Sequence, residues 1–478
     1  MRRRNYLALA MIGSISVFCW QATQGAKPKD EMLELYGLFV DAVEKVEVNY
    51  VRPVSRRELL ESALEGMLQN LDPHSTFINT GEWMQFRRQI EGRFGGIGIQ
   101  VGIDPESGRL RVIAPMVGTP AYEGGILAGD QIVEIDGQSA EGMSPDKAIE
   151  VLTGRPGTEV KLSVLHEGSE EPEPIAITRA IIDVPSVLGD HRKPDDQWEF
   201  MLDKDKKIGY VRITSFIQNT AEELKKALAQ LKEEGMKGLI LDLRDDPGGL
   251  LSSAVEVSDI FLDNGEIVST KGRNTPPKIF NAHKNSSFED TPMVVLVNQN
   301  SASASEIVSA ALQDHHRATV VGQRSYGKGS VQNIFELDDG NSVLKLTVAS
   351  YYRPSGENIH RFKNAKITDK WGVTPDKGCE VKLSTSEYVR WFTGRRTRDL
   401  AAGHRRAPAP DSEAEKAKPE ATKEKAQDKA EAKKEPEKPE SKRTSPRRPS
   451  GPFIDKPLDK ALEVIRSKFE AKPQVKAA

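Results

Sequence analysis

A short stretch in the last third of the chain constrains the fold more than any other. Residues Thr291–Asn298 form an apolar run typical of a buried strand, and a turn of small residues follows it. Apolar residues then recur at helical spacing up to Asp314, which predicts a helix beginning near Ala304. A strand, a tight turn and a helix start place a hydroxyl beside outward-pointing backbone N–H groups, where the helix dipole favours negative charge. Such an arrangement suits a nucleophilic serine, and the turn offers three candidates: Ser301, Ser303 and Ser305.

The elements before this stretch predict an α/β core in residues 181–402. Residues 207–213 and 238–244 have the pattern of strands, and residues 220–234 and 250–262 have the pattern of helices. This β-α-β-α alternation favours a partly parallel sheet. The glycine turn Asp245–Gly249 presents free N–H groups beside the carboxyl end of that sheet.

Two different regions precede the core. Residues 27–91 carry apolar positions at helical spacing, whereas residues 92–180 consist of short strand patterns separated by glycine turns. In the second region, successive N–H groups of one loop could hold a terminal carboxylate. The candidate residues of this loop are Gly96, Ile97, Gly98 and Ile99. The order of elements over 92–180 resembles a PDZ domain, which implies binding of extended C-terminal peptides by strand addition. A small β-domain with a packing role stays open as the alternative.

The two ends of the chain have distinct compositions. Residues 1–26 begin with three arginines and continue with an apolar run, which is the layout of a secretory signal peptide or an uncleaved anchor. Residues 403–452 are rich in Lys, Glu, Ala and Pro and predict a disordered charged linker. Residues 453–478 carry an amphipathic pattern, so we expect a C-terminal helix that docks back on the core.

Composition excludes several classes of protein. The net charge is −3 and there is no basic stripe with interleaved aromatic residues, so we expect no nucleic-acid binding. The two cysteines, Cys19 and Cys379, are far apart, and we expect neither a structural disulfide nor a cysteine-based metal site. No metal or cofactor is implied.

The nucleophile needs a base, and Lys328 is the best placed candidate. His315 and His316 fall past the end of the predicted helix, roughly 15–18 Å along its axis from Ser303. Lys328 lies between glycines, which allow the chain to approach another element closely. Burial could lower a lysine pKa by about three units, as a neutral base requires. Gln332 is uncharged and could orient the amine by hydrogen bonding.

Six motifs together resemble those of the C-terminal processing peptidases, the tail-specific serine proteases with a Ser–Lys dyad. The six motifs are Leu71–Ser75, Phe94–Gly98, Asp242–Gly249, Ser301–Glu306, Tyr326–Gln332 and Tyr352–Gly356. The resemblance implies that Ser303 is the nucleophile, Lys328 the general base and Gln332 the residue that orients the lysine. It also implies an oxyanion hole formed by backbone N–H groups of Ala304 and of a glycine in Gly248-Gly249. Asp314 matches a family aspartate whose role we expect to be structural. Many relatives have an arginine where this chain has Thr153. If that arginine couples peptide binding to activation of the protease, the coupling is in doubt for this chain.

The sequence thus predicts an α+β multidomain protein: a helical N-terminal segment, a PDZ-like β-rich domain, a protease core with a mixed sheet, a disordered linker and a C-terminal helix. The expected function is an exported serine endopeptidase acting on proteins or peptides with free C-terminal tails. We expect a periplasmic or other extracytoplasmic location, and anchoring to the inner membrane stays open. Assembly into a homo-oligomer and binding of an adaptor protein also stay open. The alternative is a catalytically inactive PDZ-containing scaffold, against which the joint presence of Ser303, Lys328 and Gln332 weighs.

Overall fold

The computed structural model describes residues 28–105, 107–284, 288, 291–400 and 453–471. The predicted leader at 1–26 and the predicted linker at 403–452 lie outside the described residues. The described chain forms two compact units, one of residues up to Trp83 with Gln332–Thr347 and one of Met84–Val331 with Val348 onward. None of the described helices has the length and hydrophobicity that a membrane span needs.

Ten α-helices and 21 strands are defined in the described residues. The helices are α1 (Pro28–Asn49), α2 (Arg56–Gln69), α3 (Thr80–Glu91), α4 (Pro120–Glu123), α5 (Pro145–Leu152), α6 (Thr220–Glu233), α7 (Leu251–Asp259), α8 (Ala304–Asp314), α9 (Thr385–Asp399) and α10 (Lys456–Ala471). The strands are β1 (Thr76–Ile78), β2 (Arg93–Gly96), β3 (Ile99–Ile103), β4 (Leu110–Pro115), β5 (Gln131–Ile135), β6 (Gln138–Ser139), β7 (Glu159–Leu165), β8 (Glu173–Thr178), β9 (Ala180–Asp183), β10 (Val187–Leu188), β11 (His191–Arg192), β12 (Trp198–Glu199), β13 (Met201–Asp203), β14 (Ile208–Ile213), β15 (Gly238–Asp242), β16 (Glu266–Lys271), β17 (Lys278–Asn281), β18 (Met293–Val297), β19 (Thr319–Gly322), β20 (Ser330–Leu337) and β21 (Ser342–Tyr352).

The first unit contains α1, α2 and β1 with the part of the β20–β21 hairpin between Gln332 and Thr347. Ser55 caps α2 in a capping box with Glu58, which satisfies N–H groups at the start of the helix. After α2, the Asp72 carboxylate accepts the N–H groups of His74 and Ser75 at 2.8 and 3.0 Å, so this motif is a hydrogen-bonded turn. Strand β1 then pairs antiparallel with β21, with Phe77 opposite Leu344.

The second unit begins with a β-rich part. Strands β3, β4, β5, β7 and β8 form an antiparallel sheet to which β6 is added, and β2 pairs with β9. Its own core consists of the inward side chains of this sheet with α5, including Val112, Val160 and Leu152. Alternating burial along β7 gives the two-residue period expected of a strand with one face in the core.

The α/β core follows in the same unit. Strands β14, β15, β18 and β19 are parallel neighbours, while β10 and β13 pair antiparallel with β14, so the sheet is mixed. Successive residues alternate between its faces: Leu239 and Leu241 pack with α6, α7 and α8, whereas Ile240 packs with α10. Because both faces are covered, β15 and β18 are buried at every position.

Helix α10 covers the second face of the core sheet. Leu458, Ala461 and Ile465 recur at helical spacing, are buried, and belong to the same cluster as the sheet residues. The predicted α+β architecture, with its helical N-terminal segment, β-rich domain, mixed-sheet core and C-terminal helix, is therefore confirmed.

Candidate active site

The glycine turn and the serine turn lie at one edge of the core sheet. Strands β15 and β18 are parallel hydrogen-bonded neighbours, so the segments that follow them emerge side by side. Asn298, just after β18, joins these segments: its Oδ1 accepts the N–H of Asp245 at 3.0 Å, and its Nδ2 donates to the Asp245 carboxylate at 2.9 Å. Two stretches 53 residues apart in sequence are thereby fixed against each other.

Ser303 immediately precedes α8 and has an unusual backbone conformation. Its φ of 57° and ψ of −111° lie outside the regions that L residues prefer, which costs about 1–3 kcal/mol. The two flanking serines use their hydroxyls structurally, because Ser301 Oγ donates to the carbonyl of Leu243 at 2.7 Å and Ser305 Oγ to the carbonyl of Asp246 at 3.0 Å. The geometry therefore gives Ser301 and Ser305 structural roles and separates Ser303 from them.

Glu306, in the first turn of α8, binds the serine turn and the lysine loop together. Its Oε2 accepts the backbone N–H of Ser303 at 2.9 Å and of Lys328 at 2.8 Å. Its Oε1 accepts the N–H of Gly327 at 2.6 Å and the hydroxyl of Ser325 at 2.5 Å. Because Ser303 N and Lys328 N bind the same oxygen, they lie within about 6 Å of each other.

The Glu306 carboxylate is completely buried. Burial raises its pKa, and the hydrogen bonds from the Ser325 hydroxyl and from the backbone N–H groups oppose that rise. The sequence patterns alone did not assign a role to Glu306. The signal that could have found it is the spacing from Ser303 to Glu306, a serine followed three residues later by glutamate at a helix start.

The lysine loop Ser325–Gly329 depends on its glycines. Gly327 has a φ of 88°, and a Cβ there would lie 2.7 Å from Cβ of Arg361. A Cβ on Gly329 would lie 2.2 Å from the backbone nitrogen of His360. The glycines therefore allow the close approach that the sequence predicted, and Lys328 between them is partly buried.

The glycine turn packs directly against Ser303. A Cβ on Gly248 would lie 2.8 Å both from Cβ of Ser303 and from the backbone nitrogen of Ala304. The N–H of Gly248 donates to Asp246 Oδ1 at 2.8 Å, whereas Ala304 is the first residue of α8 and its N–H has no intrahelical acceptor. Asp246 is buried, which raises the pKa of its carboxyl group. The predicted oxyanion-hole segments thus lie beside Ser303.

Asp314, at the other end of α8, is held by an ion pair and by a backbone hydrogen bond. Arg353 donates to its carboxylate twice, at 2.9 and 2.6 Å, and Ser355 N–H donates at 3.0 Å. The ring nitrogen Nε2 of His315, next in sequence, lies 2.7 Å from the carbonyl oxygen of Glu266. Both residues are fixed at the end of the helix opposite Ser303.

Gln332 belongs to the first unit. Its side-chain amide donates to the hydroxyl of Thr347 at 3.1 Å, and that hydroxyl donates to Asp72 at 3.1 Å. The role that the family resemblance gives to Gln332, orienting the catalytic lysine, stays a prediction.

A groove of about 410 Å³ lies in the β-rich part of the second unit, and we call it the tail groove. Its lining includes the whole predicted carboxylate loop, Gly96–Ile99, together with Phe94 and Val101 from the adjoining strands and Ile149 and Leu152 from α5. The N–H groups of Ile97 and Gly98 have no hydrogen-bond partner within the described residues. An apolar groove with free N–H groups at one end can hold an extended peptide and a carboxylate.

Comparisons with known proteins agree with this architecture. The sequence model of peptidase family S41 matches residues 207–377, and that of the PDZ domain matches residues 85–165. The carboxy-terminal-processing protease of Bartonella bacilliformis is 38% identical over 381 residues, which cover 76% of this chain and 82% of the relative. The carboxy-terminal processing protease CtpA of Bacillus subtilis is 36% identical over 351 residues, covering 73% and 69%. A solved photosystem II D1 C-terminal processing protease is 30% identical, covers 72% of this chain and 92% of its own, and has a TM-score of 0.41.

The two relatives are more than 30% identical, and the matched region covers more than two thirds of each. They are named as processing proteases, and the matched S41 and PDZ regions are those in which the catalytic candidates and the tail groove lie. This chain therefore belongs to the carboxyl-terminal processing protease family and is a PDZ-bearing serine peptidase.

Proposed function

We propose that this chain is an exported serine endopeptidase that captures proteins by their C-terminal tails and cleaves them through an acyl-enzyme. Ser303 is the nucleophile and Lys328 is the general base. One observation carries the proposal: the buried Glu306 carboxylate accepts the backbone N–H groups of both residues. A base can act only within hydrogen-bond reach of the proton it removes, and this shared carboxylate holds the two segments close.

Each half of the reaction uses the same two side chains. Ser303 Oγ attacks the scissile carbonyl carbon while neutral Nζ of Lys328 takes the hydroxyl proton. The resulting ammonium gives that proton to the leaving amine nitrogen as the C–N bond breaks, which leaves the acyl group on Ser303. Water then attacks the ester carbonyl and gives a proton to Lys328. Collapse of this second tetrahedral intermediate releases Ser303 Oγ, which recovers the proton from the ammonium.

Backbone N–H groups stabilise the negative charge on the carbonyl oxygen. Ala304 supplies one donor from the start of α8, where the helix dipole also favours negative charge. Because the N–H of Gly248 is bound to Asp246, we assign the second donor to Gly249. The missing side chain of Gly248 lets the glycine turn lie against Ser303. Each such donor contributes about 2.7–4 kcal/mol to transition-state stabilisation.

The tail groove selects the substrate. The N–H groups of Ile97 and Gly98 hold the terminal carboxylate, and the tail extends along β3 as an added strand. Export follows from the leader-like residues 1–26, so the protein acts in the periplasm or another extracytoplasmic compartment.

Four preparations test the proposal: the unmodified chain, Ser303→Ala, Lys328→Ala and Gln332→Ala. Each is incubated with a fluorogenic peptide that ends in a free carboxylate and with its C-terminally amidated twin. We expect Ser303→Ala and Lys328→Ala to abolish cleavage with unchanged circular dichroism, and amidation to lower kcat/KM. Normal turnover by Ser303→Ala would refute the assignment of Ser303 as the nucleophile. Equal rates on the free and the amidated peptide would refute recognition of the C-terminal carboxylate. Labelling by a fluorophosphonate that disappears in Ser303→Ala distinguishes an active hydrolase from an inactive scaffold.

A further inference from the structure

Arg88 is the one charged residue among those that line the tail groove. The remaining lining residues are apolar side chains, glycines and the uncharged polar residues Gln85, Thr153 and Ser215. Within the described part of the chain, no Asp or Glu lines the groove, so no carboxylate there neutralises the guanidinium. A half-buried cation against an apolar wall favours an anionic ligand, because the low local dielectric strengthens the attraction.

The neighbouring arginine shows what an ordinary surface arginine on this helix does. Arg87 lies 3.4 Å from Glu91 one turn later, and 60% of its side chain is exposed. Arg88 points into the groove lining instead and makes no ion pair with any described residue. The two side chains have the same chemistry but only one of them is presented to a bound tail.

Arg88 and the carboxylate loop lie at opposite ends of strand β2. The carbonyl of Arg88 accepts the N–H of Gly92 at 2.9 Å, just before β2 begins at Arg93. The free N–H groups of Ile97 and Gly98 follow the end of the same strand. A tail whose carboxylate binds the loop lies in the same groove that Arg88 lines, so a side chain upstream of its terminus can reach the guanidinium.

We propose that Arg88 selects tails that carry an acidic side chain upstream of the C-terminal residue. This inference rests on the proposed function, in which the groove holds the end of a substrate. A guanidinium binds a carboxylate through two parallel hydrogen bonds, and glutamine at the same place offers neither the charge nor the bidentate geometry. The groove thus recognises a tail by its free carboxylate, its apolar residues and one acid.

Binding measured without cleavage tests this inference. Full-length Ser303→Ala is titrated by fluorescence anisotropy with labelled twelve-residue peptides that end in an apolar residue with a free carboxylate. A single Glu is placed in turn at each of the five positions before the last residue, and each peptide has a Gln twin. We expect the Glu peptide to bind about five- to tenfold more tightly at one of these positions. The preference should disappear in Ser303→Ala/Arg88→Gln and persist in the matched control Ser303→Ala/Arg87→Gln. Arg88→Glu should reverse it in favour of a Lys peptide.

The outcomes separate this inference from the function on which it rests. Equal binding of Glu and Gln peptides at every position, with amidation still weakening binding, would overturn the role of Arg88 and leave tail capture intact. A Glu preference that survives Arg88→Gln would also overturn it. If amidation has no effect on binding, tail capture itself fails and the selection by Arg88 fails with it.

Discussion

Replacing Glu306 by glutamine should weaken both the fold and the catalytic arrangement. Each oxygen of the carboxylate accepts two hydrogen bonds, from Ser303 and Lys328 on one side and from Gly327 and Ser325 on the other. Glutamine keeps one acceptor oxygen, and its NH₂ group must face two former donors. The less costly placement directs the NH₂ at Gly327 and Ser325, because a hydroxyl can rotate to accept whereas a backbone N–H cannot. One buried N–H then stays unpaired.

The magnitude follows from that count. An unpaired buried N–H costs about 1–3 kcal/mol, so we expect the free energy of unfolding to fall by this amount. Burial raises the pKa of Glu306, and since the neutral amide avoids the cost of burying a charge, the loss should lie toward the lower end. A displaced Gly327–Lys328 peptide also misplaces the base, which should lower kcat about 10- to 100-fold with a small change in KM.

Urea unfolding followed by circular dichroism gives the free energy of unfolding, and hydrolysis of a fluorogenic tail peptide gives kcat and KM. The matched control is Glu223→Gln, since one oxygen of that carboxylate accepts the N–H groups of Ser186 and Val187 and the hydroxyl of Ser186, within the same unit but away from the serine turn. The control should lose stability and keep its kcat. Unchanged stability and unchanged kcat in Glu306→Gln would refute the reasoning, and equal loss of kcat in both variants would show that the effect is only one of stability.

Three further substitutions or conditions have defined outcomes. Gly329→Ala should abolish cleavage, because the new Cβ would lie 2.2 Å from the backbone nitrogen of His360, and a wild-type rate would contradict this close approach. Asp455→Ala should lower the free energy of unfolding by about 1–3 kcal/mol in a urea titration, because Arg244 keeps its pairing with Asp242 but loses the acceptor of two buried N–H donors; an unchanged free energy would contradict it. Burial opposes ionisation of Asp242, but the Arg244 guanidinium outweighs it and lowers the pKa of Asp242 below its usual value. A lowered folded-state pKa stabilises the fold above the unfolded pKa, so this contribution should be lost as the pH falls below about 4, and Asp242→Asn should flatten that part of the stability profile.

Local sequence patterns predicted the strand, turn and helix around Ser303 well. The apolar run before the turn and the helical spacing after it depend on residues close in sequence, and the helix begins at Ala304 as predicted. The glycines around Lys328 likewise indicated a close approach, because a glycine between polar residues in a turn often marks the place where another backbone passes. The clash distances at Gly327 and Gly329 bear this out.

Contacts between distant segments could not be read from the sequence in the same way. The sequence marks Glu306 only as an acidic residue in a first helical turn, a common feature with a local role. Its hydrogen bonds to Ser325, Gly327 and Lys328 exist because the lysine loop folds over the start of α8. Hydrophobic periodicity in the sequence does not predict this contact between distant segments. The sequence likewise did not predict that Arg88 lines the groove. A helical pattern does not distinguish an arginine that faces a groove from a neighbouring arginine that faces water.

The way in which Glu306 holds Lys328 has a consequence for the chemistry. A carboxylate bound to the lysine side chain would stabilise the ammonium and raise its pKa, whereas the proposed mechanism needs a neutral amine. In this structure the carboxylate binds the backbone N–H of Lys328, and its other hydrogen bonds come from two further N–H groups and one hydroxyl. Glu306 therefore holds Lys328, the proposed base, through its main chain. It follows that Glu306→Gln should lower kcat by a similar factor across the pH range, without moving the pH at which the rate is half-maximal. A displaced midpoint would mean that the carboxylate acts on the charge of Lys328 and not on its position alone.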